Sequence, residues 1–197
     1  INVTNETFMV DGTEYTGKEY TARIAGLIAG TPLTISCTFA PLPEVDSVTP
    51  KKTNSELDTA VDNGEFICFN DGEKVKVARG VNSLVTTTQD KGEQWKKIKI
   101  VDILDLWYGD LKRTAEDNYI GKYANSYDNK LLLILAIGGY NDQLETDGIL
   151  AEGQNSVSID VEAQKNYLKS NGTDVSTMSV QEIKEANTGD EVFLKVN

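Results

Sequence analysis

The sequence predicts an α+β protein, with mixed β-sheets and hairpins packed by about five helices in two lobes. Three observations carry this. Two segments flank turn-forming residues with alternating or β-branched residues, TFMV-DG-TEYT at 7–16 and EFICF-NDG-EKVKVA at 65–78, the pattern of a hairpin whose turn needs positive φ. Segments such as 17–30 and 100–115 repeat apolar residues at helical spacing. Residues 82–93, NSLVTTTQDKGE, sustain neither period, which places the lobe boundary there, with 1–90 on one side and 91–197 on the other.

After the first hairpin, GKEYTARIAGLIAG (17–30) puts Tyr20, Ile24, Leu27 and Ile28 on one face and stops at Gly30-Thr31-Pro32. Its small residues Ala22, Ala25, Gly26 and Ala29 predict close packing. TISCTF (34–39) alternates like a strand, and APLPEVDSVTP (40–50) reads as an extended connection. Thr53 stands three residues before Glu56, a capping-box spacing, opening a helix that stops at Gly64. Past the second hairpin, KKIKI (96–100) alternates like a short strand. Ile100, Ile103, Leu104, Trp107, Leu111 and Ala115 then recur at helical spacing. The segment 128–145 is the most apolar helix, with Leu131, Leu132, Leu135, Gly139 and Leu144 inward, Ile134 and Ile137 on the flanks, and Gly138-Gly139 read as close packing. It is expected to be buried on most sides. A strand (SVSID, 156–160), helices near 161–170 and 179–186, and a final strand (EVFLKV, 191–196) complete the chain.

Composition removes whole classes of chemistry. The 197 residues carry 19 Lys plus Arg, 31 Asp plus Glu, a net charge of −12, two cysteines and no histidine. Histidine-activated nucleophiles, HExxH zinc proteases and imidazole relays are excluded. Two thiols cannot close a Cys-rich zinc site, and Cys37 and Cys68, set among alternating apolar neighbours, read as reduced core thiols. Strong acidity opposes binding a polyanion, so nucleic acid is not expected as a partner. The longest apolar run, Leu131–Ile137, is far short of the roughly 20 residues that span a bilayer. No charged-then-apolar leader opens the chain, so a soluble, unexported, unanchored protein is expected. A start at Ile1 rather than Met suggests a fragment.

Charge is uneven. Residues 1–90 sum to −6, 91–127 to +1 and 128–197 to −7, which makes Lys96, Lys97, Lys99, Lys112, Arg113 and Lys122 a basic island. It reads either as a solvated face with local ion pairs or as a contact for an acidic partner. Asp102 and Asp105, with Asp110 beyond, have the spacing of a carboxylate pair or a hard-cation site. With 31 acids in the chain such spacings arise readily by chance, so surface solvation is favoured. Phosphate-cradling loops, a nucleophile elbow and an EF-hand pattern are all missing. Trp95, Trp107, Tyr108, Tyr119 and Tyr123 read as core or interface packing. No catalytic, cofactor-binding or metal-binding residue is assigned.

Five strings in register along the chain carry a resemblance. They are DGTEYTGKEYTARIAGLIAGTP (11–32), TNSELDTAVDNGEFICF (53–69), RGVNSLVTTT (79–88), KKIKIVDILDLWYGDL (96–111) and YIGKYANSYDNK (119–130), the last with its Tyr-Ile-Gly-Lys and following Asn. The chain resembles the tail sheath proteins of contractile bacteriophages and of phage-tail-like bacteriocins, of the kind found in Gram-positive bacteria. Val81 and Ser83 are conservative departures from the family pattern. The resemblance implies a structural subunit that stacks in rings around a tail tube and shortens to drive the tube through an envelope. It implies no catalysis and no cofactor. Its partners are other sheath subunits and the tube protein, in a virion tail or tail-like particle assembled in the bacterial host cytoplasm. Residues 1–90 correspond to the end of the middle region, subtilisin-like in fold only, and 91–197 to the C-terminal domain. The family's longer N-terminal portion and C-terminal arm are expected to lie outside Ile1 and Asn197, leaving this chain alone monomeric.

Two interaction sites are expected. The basic island, Lys96, Lys97, Lys99, Lys112 and Arg113, is the candidate subunit or tube interface. The final strand, Glu191, Val192, Phe193, Leu194, Lys195 and Val196, is the candidate edge for strand exchange between subunits, with an ordinary closing strand as the bland alternative. A tail-associated glycosidase acting through two carboxylates and a surface-binding module are the competing functional readings.

Overall fold

The computed structural model describes residues 1–89 and 91–197. Among them are six helices and three small antiparallel sheets, the mixed α+β architecture expected. The chain divides into two compact units, 1–106 and 107–197, and the division falls inside a continuous helix, Ile98–Asn118.

In unit 1 the first hairpin forms as predicted. β1 (Thr7–Val10) and β2 (Thr13–Thr16) pair from Thr7↔Thr16 to Val10↔Thr13. Asp11 and Gly12 both take positive φ, 49° and 75°, the two-residue turn whose twist matches its strands. β3 (Ser47–Thr49) joins the other edge of β1, giving the order β2-β1-β3. Between them runs α1 (Gly17–Ala29), opened by a capping box in which Thr16 and Glu19 satisfy each other's backbone donors. Gly17 admits no side chain, because a Cβ there would lie 1.9 Å from the Asn5 carbonyl oxygen. Phe8, Tyr20, Ile24, Leu42, Phe66, Val75 and Val77 fill the core, with the Phe8 and Tyr20 rings stacked at 4.3 Å. Buried Asn5 mimics a strand neighbour, donating to the Cys68 carbonyl at 2.9 Å and accepting from its N–H at 2.8 Å.

A second capping box, Thr53 with Glu56, opens α2 (Asn54–Asp62), and Gly64 supplies a φ of 71° just past its end. β4 (Cys68–Asn70) and β5 (Val75–Val77) make the second hairpin. Asp71 closes its turn by accepting from the Glu73 and Lys74 N–H groups, both at 3.0 Å. Cys37 and Cys68 are buried free thiols, as expected, and burial pushes the Cys68 thiol up to about 12.

Two strands expected in this unit do not form. TISCTF is a series of turns. The Ser36 hydroxyl takes the Thr38 N–H at 3.1 Å and the Thr38 hydroxyl takes the Gly80 N–H at 2.9 Å, so side chains compete with a ladder. Phe39 turns outward at φ 59° beneath the Lys76 and Arg79 cations, which stand 5.2 and 4.7 Å from its ring. KKIKI is likewise no strand, keeping only an isolated bridge between Lys97 and Val81. A short 3-10 turn (Glu93–Lys96) leads into α3 (Ile98–Asn118), which buries Ile98 and Ile103. The close packing expected of α1 is also absent. Ala22, Ala25, Gly26 and Ala29 are exposed, and no described atom lies within 4 Å of a Cβ built on Gly26.

In unit 2, α4 (Tyr127–Thr146) is capped by Ser126. β6 (Val157–Ile159) pairs antiparallel with β7 (Leu194–Val196), and α5 (Val161–Ser170) and α6 (Val180–Glu185) lie between them in sequence. Asp160 caps α5, and a third capping box, Ser179 with Glu182, opens α6. Leu168, Val175 and Ile183 form the apolar cluster beneath α5 and α6.

Candidate assembly surfaces

The terminal strand is built on a short ladder and a polar anchor. β7 pairs Val196↔Val157, Lys195↔Ser158 and Leu194↔Ile159. Phe193 extends this by accepting from the Asp160 N–H at 2.9 Å, and its ring meets Tyr167 at 5.3 Å. The sheet has two strands, so among the described residues the outer edge of β7 carries no strand partner. Within the predicted edge, Glu191, Val192 and Lys195 are exposed, while Phe193, Leu194 and Val196 are half-buried.

Just before it, Thr188–Glu191 is tied to the start of α4. The two protons of the Asn125 amide are shared among three acceptors, Thr188 Oγ1 at 3.0 Å and the Gly189 and Glu191 carbonyls, both at 2.8 Å. Lys130, 3% exposed, donates to Thr188 Oγ1 at 3.3 Å and to Gln164 Oε1 at 3.4 Å. Burial without a carboxylate partner lowers its pKa from the usual lysine value. Fully buried Gln164 turns its own amide to the Ile183 and Lys184 carbonyls at 2.5 and 3.2 Å, satisfying acceptors at the end of α6.

α4 turns inward a different face from the one expected, with Leu144 the one expected inward leucine that is buried. Its buried positions are Lys130, Ile137, Asn141 and Leu144, whereas Leu131, Leu132 and Leu135 are 37%, 55% and 70% exposed. The polar members of the buried stripe are partly paired, Lys130 through Thr188 and Gln164 and Asn141 by accepting from Trp107 Nε1 at 2.8 Å, while the Asn141 Nδ2 has no partner among the described residues. That pairing lets them face inward. Gly138 and Gly139, expected to pack closely, have nothing described within 4 Å of a built Cβ. The exposed side of α4 is therefore an apolar ridge running into a glycine notch.

The basic island falls on both units, Lys96, Lys97 and Lys99 in the first and Lys112 and Arg113 in the second. Lys96 pairs with Glu93 at 3.0 Å, and the Lys99 ammonium donates to the Thr34 carbonyl at 2.7 Å. Lys97, Lys112 and Arg113 are exposed. Lys112 reaches Glu116 at 4.0 Å and Arg113 reaches Asp110 at 3.9 Å, long surface pairs that contribute little to stability.

Of the carboxylates singled out in the sequence, only Asp102 lines its pocket. Asp102 has its pKa raised, by burial and then by the Asp105 charge. Its pocket, lined also by Ile28, Thr31, Cys37 and Lys99, holds no second carboxylate, whereas glycoside hydrolysis needs two. Asp110 accepts from the Tyr140 hydroxyl at 2.6 Å. Among the described residues no group of three or more Cys, Asp or Glu stands close enough to hold a metal, and no helix is long and apolar enough to cross a membrane.

Comparison with known proteins covers nearly the whole chain. Residues 1–83 match the phage tail sheath protein central domain and residues 90–196 match the phage tail sheath C-terminal domain. The tail sheath protein of Clostridium phage phiCD119 is 44% identical over 197 residues, covering 100% of this chain and 54% of that protein. The chain thus spans about half the length of this curated relative. The crystal structure of the sheath tail protein from Desulfitobacterium hafniense superposes with a TM-score of 0.72 at 28% identity, over 81% of this chain and 39% of that one. The helical sheath of the anti-feeding prophage in its contracted state shares the fold, with a TM-score of 0.61 at 17% identity over 98% of this chain and 49% of that one.

Proposed function

Because the chain belongs to the phage tail sheath family, we propose that it is part of a structural subunit of a contractile tail sheath. Such subunits stack as rings around a tail tube and shorten together to drive the tube through a cell envelope. The match of both sheath domains in order along one chain is the observation that carries this reading. The relatives are structural tail proteins rather than enzymes, and nothing favours the glycosidase or surface-module alternative.

In this reading residues 1–90 close the central region and 91–197 form the C-terminal domain. The partners are other sheath subunits and the tube protein, in a tail or tail-like particle assembled in the bacterial host cytoplasm. Three sets of residues have chemistry suited to those partners. The open edge of β7 suits strand exchange, because main-chain hydrogen bonds hold subunits together while flanking segments bend. The apolar ridge of α4 suits a neighbouring subunit, since Leu131, Leu132 and Leu135 stay wet in the isolated chain. The exposed cations Lys97, Lys112 and Arg113, with Lys96 and Lys99, suit an acidic partner such as the tube. The isolated chain is expected to stay monomeric, because one apolar ridge does not offset the roughly 4–15 kcal/mol cost of association.

Co-sedimentation of full-length subunits with preformed tubes tests the tube contact. Replacing Lys97, Lys112 and Arg113 with Glu should weaken pelleting, most strongly at low salt, where the screening length exceeds roughly 10 Å. Unchanged pelleting would remove the basic island from the account.

A further inference from the structure

The polar network behind the terminal strand is more complete than a surface loop requires. Thr188 is fully buried and its hydroxyl is saturated. It donates to the Glu191 carbonyl at 2.5 Å and accepts from both Asn125 and Lys130, which uses its one proton and both lone pairs. Asn125 also reaches the Gly189 and Glu191 carbonyls, while its own Oδ1 has no partner. The side chain is thus held by its donor protons alone. The Glu191 N–H closes the loop onto the Thr188 carbonyl at 3.1 Å.

Beyond this anchor the chain is held much more weakly. β7 spans three residues in a two-stranded sheet with an open outer edge, and an isolated pair of strands is marginal in water. The chain therefore presents two strengths in series, a buried clasp at Thr188–Glu191 and a short ladder beyond it.

We infer that Asn125 is the positioning residue that ends strand release, fastening Thr188–Glu191 to the start of α4 while β7 leaves β6 to pair elsewhere. The inference rests on the reading that the terminal strand is exchanged between subunits, narrows the exchanged part of Glu191–Val196 to Val192–Val196, and assigns a fixed pivot to that exchange. Detachment stops at Glu191. The Gln164 contacts with α6 and the apolar cluster of Leu168, Val175 and Ile183 stay intact, so a subunit gives up its strand without loosening its body.

Hydrogen–deuterium exchange on the 197-residue chain reads both tiers without any polymer, so its outcome is independent of whether the strand is exchanged. In the unmodified chain the amides of Leu194–Asn197 should exchange at least about tenfold faster than that of Glu191, since only the latter sits behind the clasp. In Asn125→Ala the Glu191 amide should lose about ten- to a hundredfold of its protection, the range expected when buried acceptors lose their donor. Amides of α5 and of the β1–β2 hairpin should not change. Asn125→Asp, which keeps the shape and removes the amide protons, should behave like Asn125→Ala. Equal exchange of the two segments in the unmodified chain would overturn the inference, and that comparison decides alone if the variants do not fold. Retained protection in Asn125→Asp would overturn it too, as would loss spreading through α5 and α6, which would make Asn125 an ordinary structural residue.

Discussion

Replacing Leu131, Leu132 and Leu135 together with Gln separates folding from assembly. The three expose 37%, 55% and 70% of their surface, equivalent to about 1.6 whole leucines. Full burial of one leucine is worth about 1.5–3 kcal/mol, so covering the ridge in a polymer contributes about 2.5–5 kcal/mol per contact. Losing it should raise the dissociation constant by about a hundredfold to several thousandfold. The fold should lose less, because Gln has nearly the helix propensity of Leu and keeps two methylenes over the surface each leucine already covers in the isolated chain, so the cost should stay within about 2 kcal/mol for all three. Leu144→Ala, at a buried position of the same helix, is the contrast and should cost about 2–5 kcal/mol. Denaturant unfolding of the 197-residue chain gives the stability half, and analytical sedimentation of full-length subunits gives the assembly half. A triple variant that polymerises normally, or that loses as much stability as Leu144→Ala, would refute the outward placement of these three leucines.

Three further outcomes are expected. Gly17→Ala should destabilise strongly or block folding, because its Cβ would sit 1.9 Å from a backbone oxygen, whereas Gly26→Ala, in open space on the same helix, should raise the unfolding free energy by about 0.5–1 kcal/mol. The backbone N–H and then the hydroxyl of Thr16, Thr53 and Ser179 hold the carboxyls of Glu19, Glu56 and Glu182 below the usual range. Their stabilisation is therefore present above the ordinary glutamate pKa and lost as pH falls through the depressed values, and a Gln replacement of all three should flatten the acid limb of a stability-versus-pH titration. Burial lowers the Lys130 pKa, so on raising pH the folded state sheds this proton before the unfolded state does, and stability rises over the window below the usual lysine value. Lys130→Met should remove that slope while leaving the Asn125 clasp in place. At pH 7 it should gain about 1 kcal/mol, relief of an unpaired buried charge exceeding the donors lost to Gln164 and Thr188, as read from urea midpoints.

Local rules made much of this fold legible. Thr16 to Glu19 and Thr53 to Glu56 announce their helices by chemistry that acts within one turn, and Asp11-Gly12 fixes a register by supplying two positive φ angles. Where tertiary contacts decide, the reading went wrong. In TISCTF, alternation was present, but the Ser36 and Thr38 hydroxyls captured the backbone donors. In KKIKI, two isoleucines fit either period, and the continuing stripe to Ile103 favoured a helix. In α4 the leucines were the loudest signal, yet the buried stripe runs through Lys130, Ile137, Asn141 and Leu144. Their spacing of seven, four and three is a helical face, hidden because two members are polar and only Trp107, Gln164 and Thr188 make their burial tolerable. Asn125 stood inside a string that carried the family resemblance, but its acceptors lie more than sixty positions away in sequence. No spacing rule reaches that far.

Negative-stain electron microscopy of the full-length protein, alone and with tail tubes, tests the central claim most directly. The account predicts hollow helical tubes of stacked rings, forming around tail tubes and absent when Leu131, Leu132 and Leu135 are all Gln. Dispersed globules under every condition that keeps the protein folded would contradict it.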